Sequence, residues 1–299
     1  MAISHLQPHA AEGPRKLRNR HQRRLQRFLA EDVDANLFAL SWIENRGVDA
    51  HKANNYAFWG WLNENQEIMA VALDISDRLL MLDTRSSVFA KRFGQFFRDR
   101  HTRYMHIVSR ANYVEPFWQI YGADQEEFSV AARLIQHQML YHLLPRDFRS
   151  QPPGKTAVRR ARTAELDPIF LASVKMHREE TLEDPLARDA SAFRRHVRYR
   201  IENGRTFAWF DSQRRLLFKA DISTRCNHGA QISGVYTAPQ VRNQGIATRA
   251  LIDICTTLFD EGLPRLTLYV NRSNEAAIRV YEKIGFESQG PYQTIFIEN

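Results

Sequence analysis

Between Leu17 and Ile43 the apolar residues recur at helical spacing: Leu25, Phe28 and Leu29, then Leu37, Leu40 and Ile43. The period then shortens. "YAFWGWL" and "EIMAVALDI" read as strands joined across "NENQ", and "LLMLD" as a further short strand. "SSVFAKRFGQFFRDR" returns to the helical period, with Val88, Phe89, Phe93, Phe96 and Phe97 on one side and Ser86 or Ser87 as the cap. "VEPFWQIYG" predicts a short helix closed by Gly122, and "RLIQHQMLYHL" a closing strand.

"LLPRDFRSQPPGKT" interrupts both periods. Pro145, Pro152, Pro153 and Gly154 cannot share one regular element, so a linker over 149–155 is expected between domains at 25–148 and 156–299. Beyond it the pattern predicts a strand from Ala157 to Thr163 and a helix opening at Asp167-Pro168. A second helix runs from about Ser191 to Asn203, where Gly204 stops it. "TFAWF", "LLFKADIS" and "AQISGVYT" are three successive strands. A helix from Gln244 to about Glu261, the strand "RLTLYV", a helix from Asn274 to Ile284 and a final hairpin "FESQG-PYQTIFI" complete the order. The first half has a similar rhythm without any sequence repeat, and the fold class is α/β (α+β) in two domains.

Bulk composition adds bounds. A chain of 299 residues suits about two domains. With 43% apolar and 25% charged residues it reads as a soluble globular protein. No apolar run approaches the roughly 20 residues of a membrane span, so no membrane partner is expected. Cys226 and Cys255 are too few for a disulfide framework and lack metal-ligand spacing, so no metal is expected. With no apolar signal region at the N-terminus, the expected setting is cytoplasmic.

The net charge of +8 is unevenly placed: Arg15, Lys16, Arg18, Arg20, Arg23, Arg24 and Arg27 lie together with no acid among them. Residues 1–24 are expected to form a basic, disordered leader running into the solvated face of a first helix. Nucleic acid is disfavoured as a partner because no aromatic residues interleave the charge, though the 15–27 run leaves it open.

The most specific chemistry lies in "VYTAPQVRNQGIATRAL", Val235 to Leu251, a strand that turns into a helix. The first amides of a helix lack internal partners, and together with the positive end of the dipole they form an anion site. Gly245 lets an oxygen-bearing ligand approach the backbone, and Arg242 adds a planar donor fork. An ordinary strand-to-helix turn has the same composition. The second stretch, "LYVNRSNEAAIRVYEKIGF", opens a helix at Asn274 and places Ala277 and Tyr281 on one face. An N-cap, a packing alanine and a half-buried aromatic would satisfy that pattern too.

The two stretches together resemble the GNAT superfamily of acetyl-coenzyme A dependent N-acetyltransferases. Arg242-Asn-Gln-Gly245-Ile-Ala247 stands where that family has its pyrophosphate loop, and Asn274-x-x-Ala277-x-x-x-Tyr281-x-x-x-Gly285-Phe286 matches its second acetyl-CoA motif. The element order extends the resemblance over Thr156 to Asn299, in the manner of a two-domain subfamily whose N-terminal half is a divergent GNAT-like α/β domain. The resemblance implies a mixed, mostly antiparallel sheet flanked by helices, and acetyl-CoA as cosubstrate. It implies pantetheine along Val235, Tyr236 and Thr237, and pyrophosphate on the amides of Arg242, Asn243, Gln244, Gly245, Ile246, Ala247 and Thr248. Asn274 would contact the coenzyme arm, and Tyr281 would sit near the sulfur as general acid.

The base is not settled by the motifs. Where some relatives carry a glutamate on the fifth strand, this chain has Tyr269. Glu179 and Glu180 at the end of the first helix, and Asp221 on the third strand of the second half, are the candidates, beside a water relay. His177 is an outside candidate for proton transfer. The first half has neither motif and is expected to be inactive. Two functions follow: acetyl transfer to a primary amine by direct attack in a ternary complex, or an acetyl-CoA-binding sensor or scaffold docking on a macromolecule. Acceptor and oligomeric state stay open.

Overall fold

The computed structural model describes residues 13–49, 55–124, 127–150 and 156–298. Two compact units divide the chain: Met1–Gln138 with Pro291–Asn299, and Met139–Gly290.

The first unit opens with β1 (Arg15–Lys16), paired antiparallel with β2 (Tyr56–Leu62) through Arg15 opposite Gly60. This corrects the expectation of disorder through residue 24, whose first twelve residues lie outside the described ones. Leu17 is 0% exposed, its N–H donates to Phe58 O at 2.7 Å, and its side chain covers Gly60, where a Cβ would stand 2.9 Å away. A single leucine among arginines carries no period, yet one buried side chain and an edge-strand backbone suffice to order the segment.

Then come α1 (Gln22–Ala30), α2 (Val33–Arg46), β3 (Ile68–Ile75), β4 (Leu79–Asp83), α3 (Ser87–Asp99), β5 (His106–Arg110), α4 (Ala111–Tyr121) and β6 (Ala132–Leu143). β2, β3 and β4 are antiparallel and β4 pairs parallel with β5. Alternate residues of β3 and β4 enter different cores. Ala70, Ala72, Leu80 and Leu82 pack with Phe93, Phe97, Phe117 and Tyr121, whereas Val71, Leu73, Leu79 and Met81 pack with Leu25, Leu29, Leu40 and Ile43. Burial on both faces explains why these strands read as continuous apolar runs.

The second unit repeats the order: β7 (Arg159–Arg160), α5 (Leu166–Thr181), α6 (Pro185–Glu202), β8 (Thr206–Phe210), β9 (Leu216–Cys226), β10 (Gly229–Thr237), α7 (Ile246–Asp260), β11 (Leu266–Asn271) and α8 (Glu275–Ile284). β7 to β10 are successively antiparallel and β10 pairs parallel with β11. Each unit therefore has two helices, three antiparallel strands, a helix, a parallel strand and a helix. The fold is mixed α/β with a mostly antiparallel sheet, as the sequence leads one to expect.

Some element boundaries differ from the sequence reading. The strand expected over 157–163 is two residues long and gives way to a 3-10 turn. α6 starts at Pro185, where the Asp184 side chain accepts from Leu186 N at 3.0 Å, and kinks at Asp189, so the helical period is legible only beyond the kink. The expected final hairpin is one strand, β12 (Glu287–Ile297), whose Gly290-Pro291 step mimics a turn. There the chain passes back to the first unit, and Tyr292 to Phe296 pair antiparallel with Arg110 to His106 of β5. The units divide within β6, after Gln138, where the strand runs on without turn residues. Of the expected linker, residues 151–155 lie outside the described ones.

Candidate active site

The site is built around the end of β10. Parallel pairing with β11 consists of Ala230 opposite Leu266 and Gln231 opposite Thr267. Both strands run on, to Thr237 and Asn271, with no further pair between them among the described residues. On its other side β10 shifts register against β9 between Ser233 and Tyr236. Gly234 sits in that irregularity with φ +55°. The result is a strand end, Val235 to Thr237, whose inner edge is not consumed by its parallel neighbour. Ser233 Oγ at the same place is buried and has no hydrogen-bond partner among the described residues.

After Thr237 a 3-10 turn (Pro239–Val241) leads into the loop Arg242 to Gly245. Arg242 Nε donates to Thr237 O at 3.1 Å, which ties the loop back to the strand end. Asn243 and Gly245 adopt left-handed φ of 62° and 73°, and Gly245 occupies the N-cap of α7. No side chain caps this helix and its first turn holds no acid, so the leading amides are not served from within the helix. A Cβ at Gly245 would meet nothing within 4 Å, leaving open space over those amides. Arg249 reaches back toward the same turn, with its Nη2 donating to Gln244 O at 3.3 Å. The loop has the chemistry of an anion cradle.

α8 begins as the sequence leads one to expect. Asn274 accepts from Ala277 N at 3.1 Å through its side-chain oxygen, while the residue itself remains exposed. Tyr281 is buried, edge-on to Phe286 with ring centroids 5.8 Å apart. Burial, and after it the Glu180 carboxylate, push its hydroxyl well above the ordinary phenol value. The carboxylate on α5 thus acts electrostatically on the phenol on α8.

Glu179 and Glu180 close α5, which ends in Leu182 with φ 58°. Glu180 keeps exposed surface yet is surrounded by enough protein to be partly desolvated. That desolvation raises its carboxyl, Lys219 pulls it back down, and Glu179 and Asp221 raise it further. Burial raises the Tyr236 hydroxyl, Arg242 lowers it and Glu179 raises it. Among the sequence candidates, Glu179 therefore acts on Tyr236 and Glu180 on Tyr281.

Asp221 is differently placed. Its Oδ2 accepts from Lys219 Nζ at 2.6 Å and Arg200 Nη1 at 3.1 Å, and its Oδ1 from Thr206 Oγ1 at 2.8 Å. Burial would raise its carboxyl, but Lys219 and Arg200 together hold it below the usual carboxylate range. A carboxylate so engaged is a poor proton acceptor. His177 lies against Phe193, with ring centroids 5.4 Å apart. Cys255 is in the core with Leu251, Ile254 and Leu258, and burial raises its thiol, which removes it as a nucleophile. Among the described residues no group of three or more His, Cys, Asp or Glu side chains could hold a metal.

Sequence reasoning missed Lys219, Arg200, Thr206 and Gly234. The signal was present in "LFKADIS": two charges at i and i+2 inside an apolar strand share one face of the sheet.

Residues 175–286 match the family model of the GNAT acetyltransferases. Among solved structures the chain is similar to a GNAT-family acetyltransferase from Colwellia psychrerythraea, at 12% identity and TM-score 0.55 over 96% of this chain and 100% of that one. It is also similar to a GCN5-related N-acetyltransferase from Sphaerobacter thermophilus, at 12% identity and TM-score 0.59 over 94% of each chain. A tandem GNAT protein from the clavulanic acid biosynthesis pathway aligns at 11% identity and TM-score 0.53 over 96% of this chain and 97% of that one. These likenesses concern the fold. Among curated proteins none matches the chain.

Proposed function

We propose that this chain, a member of the GNAT superfamily whose family match lies in the second unit, transfers an acetyl group from acetyl-CoA to a primary amine. The observation that carries the reading is the end of β10, left unpaired by β11 and leading through Gly245 into the uncapped first turn of α7.

In this reading the amides from Arg242 to Thr248, with the Arg242 guanidinium, hold the donor's pyrophosphate. Val235, Tyr236 and Thr237 hold its pantetheine arm through the strand edge that β11 leaves unpaired, and Asn274 contacts the arm. The open space over Gly245 and the uncapped amides of α7 fit a diphosphate.

Glu180 accepts a proton from the acceptor's ammonium, directly or through a water, so that the neutral amine attacks the thioester carbon. The C–N bond forms, the C–S bond breaks, the Tyr281 hydroxyl gives its proton to the departing thiolate, and the proton shed by the newly acylated nitrogen restores the phenol, directly or through water. The two groups are coupled in a useful direction. The Glu180 charge raises Tyr281, so protonating Glu180 removes part of what holds the phenol proton and makes Tyr281 the stronger acid as the sulfur leaves. Glu179, which acts on Tyr236, adds negative charge where a cationic acceptor approaches. The first unit lacks both coenzyme motifs, and the activity is assigned to the second alone.

Isothermal titration calorimetry with acetyl-CoA tests the donor side. One site per chain is expected, and no binding would exclude the reading.

A further inference from the structure

Lys219 and Asp221 point to the same face of β9 and are 0% and 2% exposed. Desolvating an ion costs several kcal/mol, so a buried lysine in a strand calls for an explanation beyond packing. One carboxylate serves two cations here: Lys219 Nζ at 2.6 Å and Arg200 Nη1 at 3.1 Å both donate to Asp221 Oδ2. Removing charge from this cluster would ease its desolvation, yet the cluster carries a surplus positive charge.

Its position supplies the reason. A Cβ on Gly234 would stand 2.7 Å from Asp221 Oδ2, 3.2 Å from Lys219 Nζ and 3.3 Å from Met176 Cε. The irregular step of β10, with its left-handed φ, thus lies directly on the ion pair, and α5 closes over it through Met176. Met176 is four residues before Glu180, one turn along the same face of α5.

We propose that Lys219 is a positioning residue of the acetyl-transfer site: pinned by Asp221 beneath Gly234, its ammonium is the fixed cation against which Glu180 works. The charged and titratable groups that act on Glu180 include Glu179 on its own helix, Lys219 and Asp221 from β9, and Tyr281 from α8. α6 contributes Arg200 through Asp221, and β10 contributes Tyr236, on which Glu179 acts. Lys219 favours the Glu180 carboxylate. Asp221 acts on Glu180 in the opposite sense while holding Lys219 in place. The role that the sequence offered Asp221, proton acceptor, is replaced by that of counterion.

The proposal rests on Glu180 as the base, and its test keeps the two apart. The titration of Glu180 is read by ¹³C NMR of the full-length protein labelled at glutamate carboxyls, with the resonance assigned by its loss in Glu180→Gln. In Lys219→Met the Glu180 midpoint is expected to rise by about 1 pH unit, and in Asp221→Asn to fall by a comparable amount. A packing defect would not displace one carboxyl in opposite directions. If Lys219→Met does not fold, the isosteric Asp221→Asn carries the test alone. A Glu180 midpoint unmoved in a folded variant overturns the role of Lys219 whatever Glu180 does in turnover. Normal turnover by Glu180→Gln, with the NMR shifts as expected, overturns the base assignment instead.

Discussion

Burial raises the Tyr281 hydroxyl on α8, and the Glu180 carboxylate at the end of α5 raises it further. In the proposed reading Glu180 serves as base and Tyr281 as acid, the two groups that an acyl transfer between sulfur and nitrogen requires.

Glu180→Gln is expected to lower kcat by about 10². The sign of the pH dependence follows from the raised carboxyl. Glu180 works as base when ionised, so its contribution is complete at high pH and lost as pH falls through a midpoint above the ordinary value of about 4.3. At saturating acceptor, an acid limb of kcat at that midpoint is expected in the wild type and absent in Glu180→Gln.

Tyr281→Phe keeps the ring that packs against Phe286 and removes the hydroxyl. A loss of about 10² in kcat is expected, with acetyl-CoA affinity by calorimetry unchanged to within about twofold. A parallel loss of affinity would move Tyr281 from proton transfer to donor binding.

Gly245→Glu places a carboxylate over uncapped amides that favour an anion. At least about a tenfold loss of acetyl-CoA affinity is expected. Gly245→Ala separates charge from backbone: a Cβ there meets no neighbour, so its cost is the left-handed φ of 73°, about 1 kcal/mol.

Leu17→Ala removes a side chain with no exposed surface from the core shared with Leu25 and Phe58. A destabilisation of about 2–4 kcal/mol is expected in urea unfolding of the first unit. Unchanged stability would mean that β1 adds nothing to that unit.

Legibility in the sequence followed the range of the interaction. Capping and turn chemistry are local, so Ser86, Asn274 and Gly245 could be read directly, as could the helices α3, α7 and α8. The partition of the chain could not, because β6 crosses from one unit to the other without a turn residue and β12 returns through a Gly-Pro step that imitates one. Leu17 was hidden because one residue has no period. At the site, Glu179, Glu180 and Tyr281 were legible as residue types. The engagement of Asp221 by Lys219, Arg200 and Thr206 depends on contacts between β8, β9 and α6 that no local pattern encodes.

The most direct test of the account is release of free thiol from acetyl-CoA with a panel of primary amines, run on the wild type and on Gly245→Glu. The account predicts amine-dependent release by the wild type and its collapse in the variant. Release no greater than in buffer for every amine, or release that survives Gly245→Glu unchanged, would contradict it.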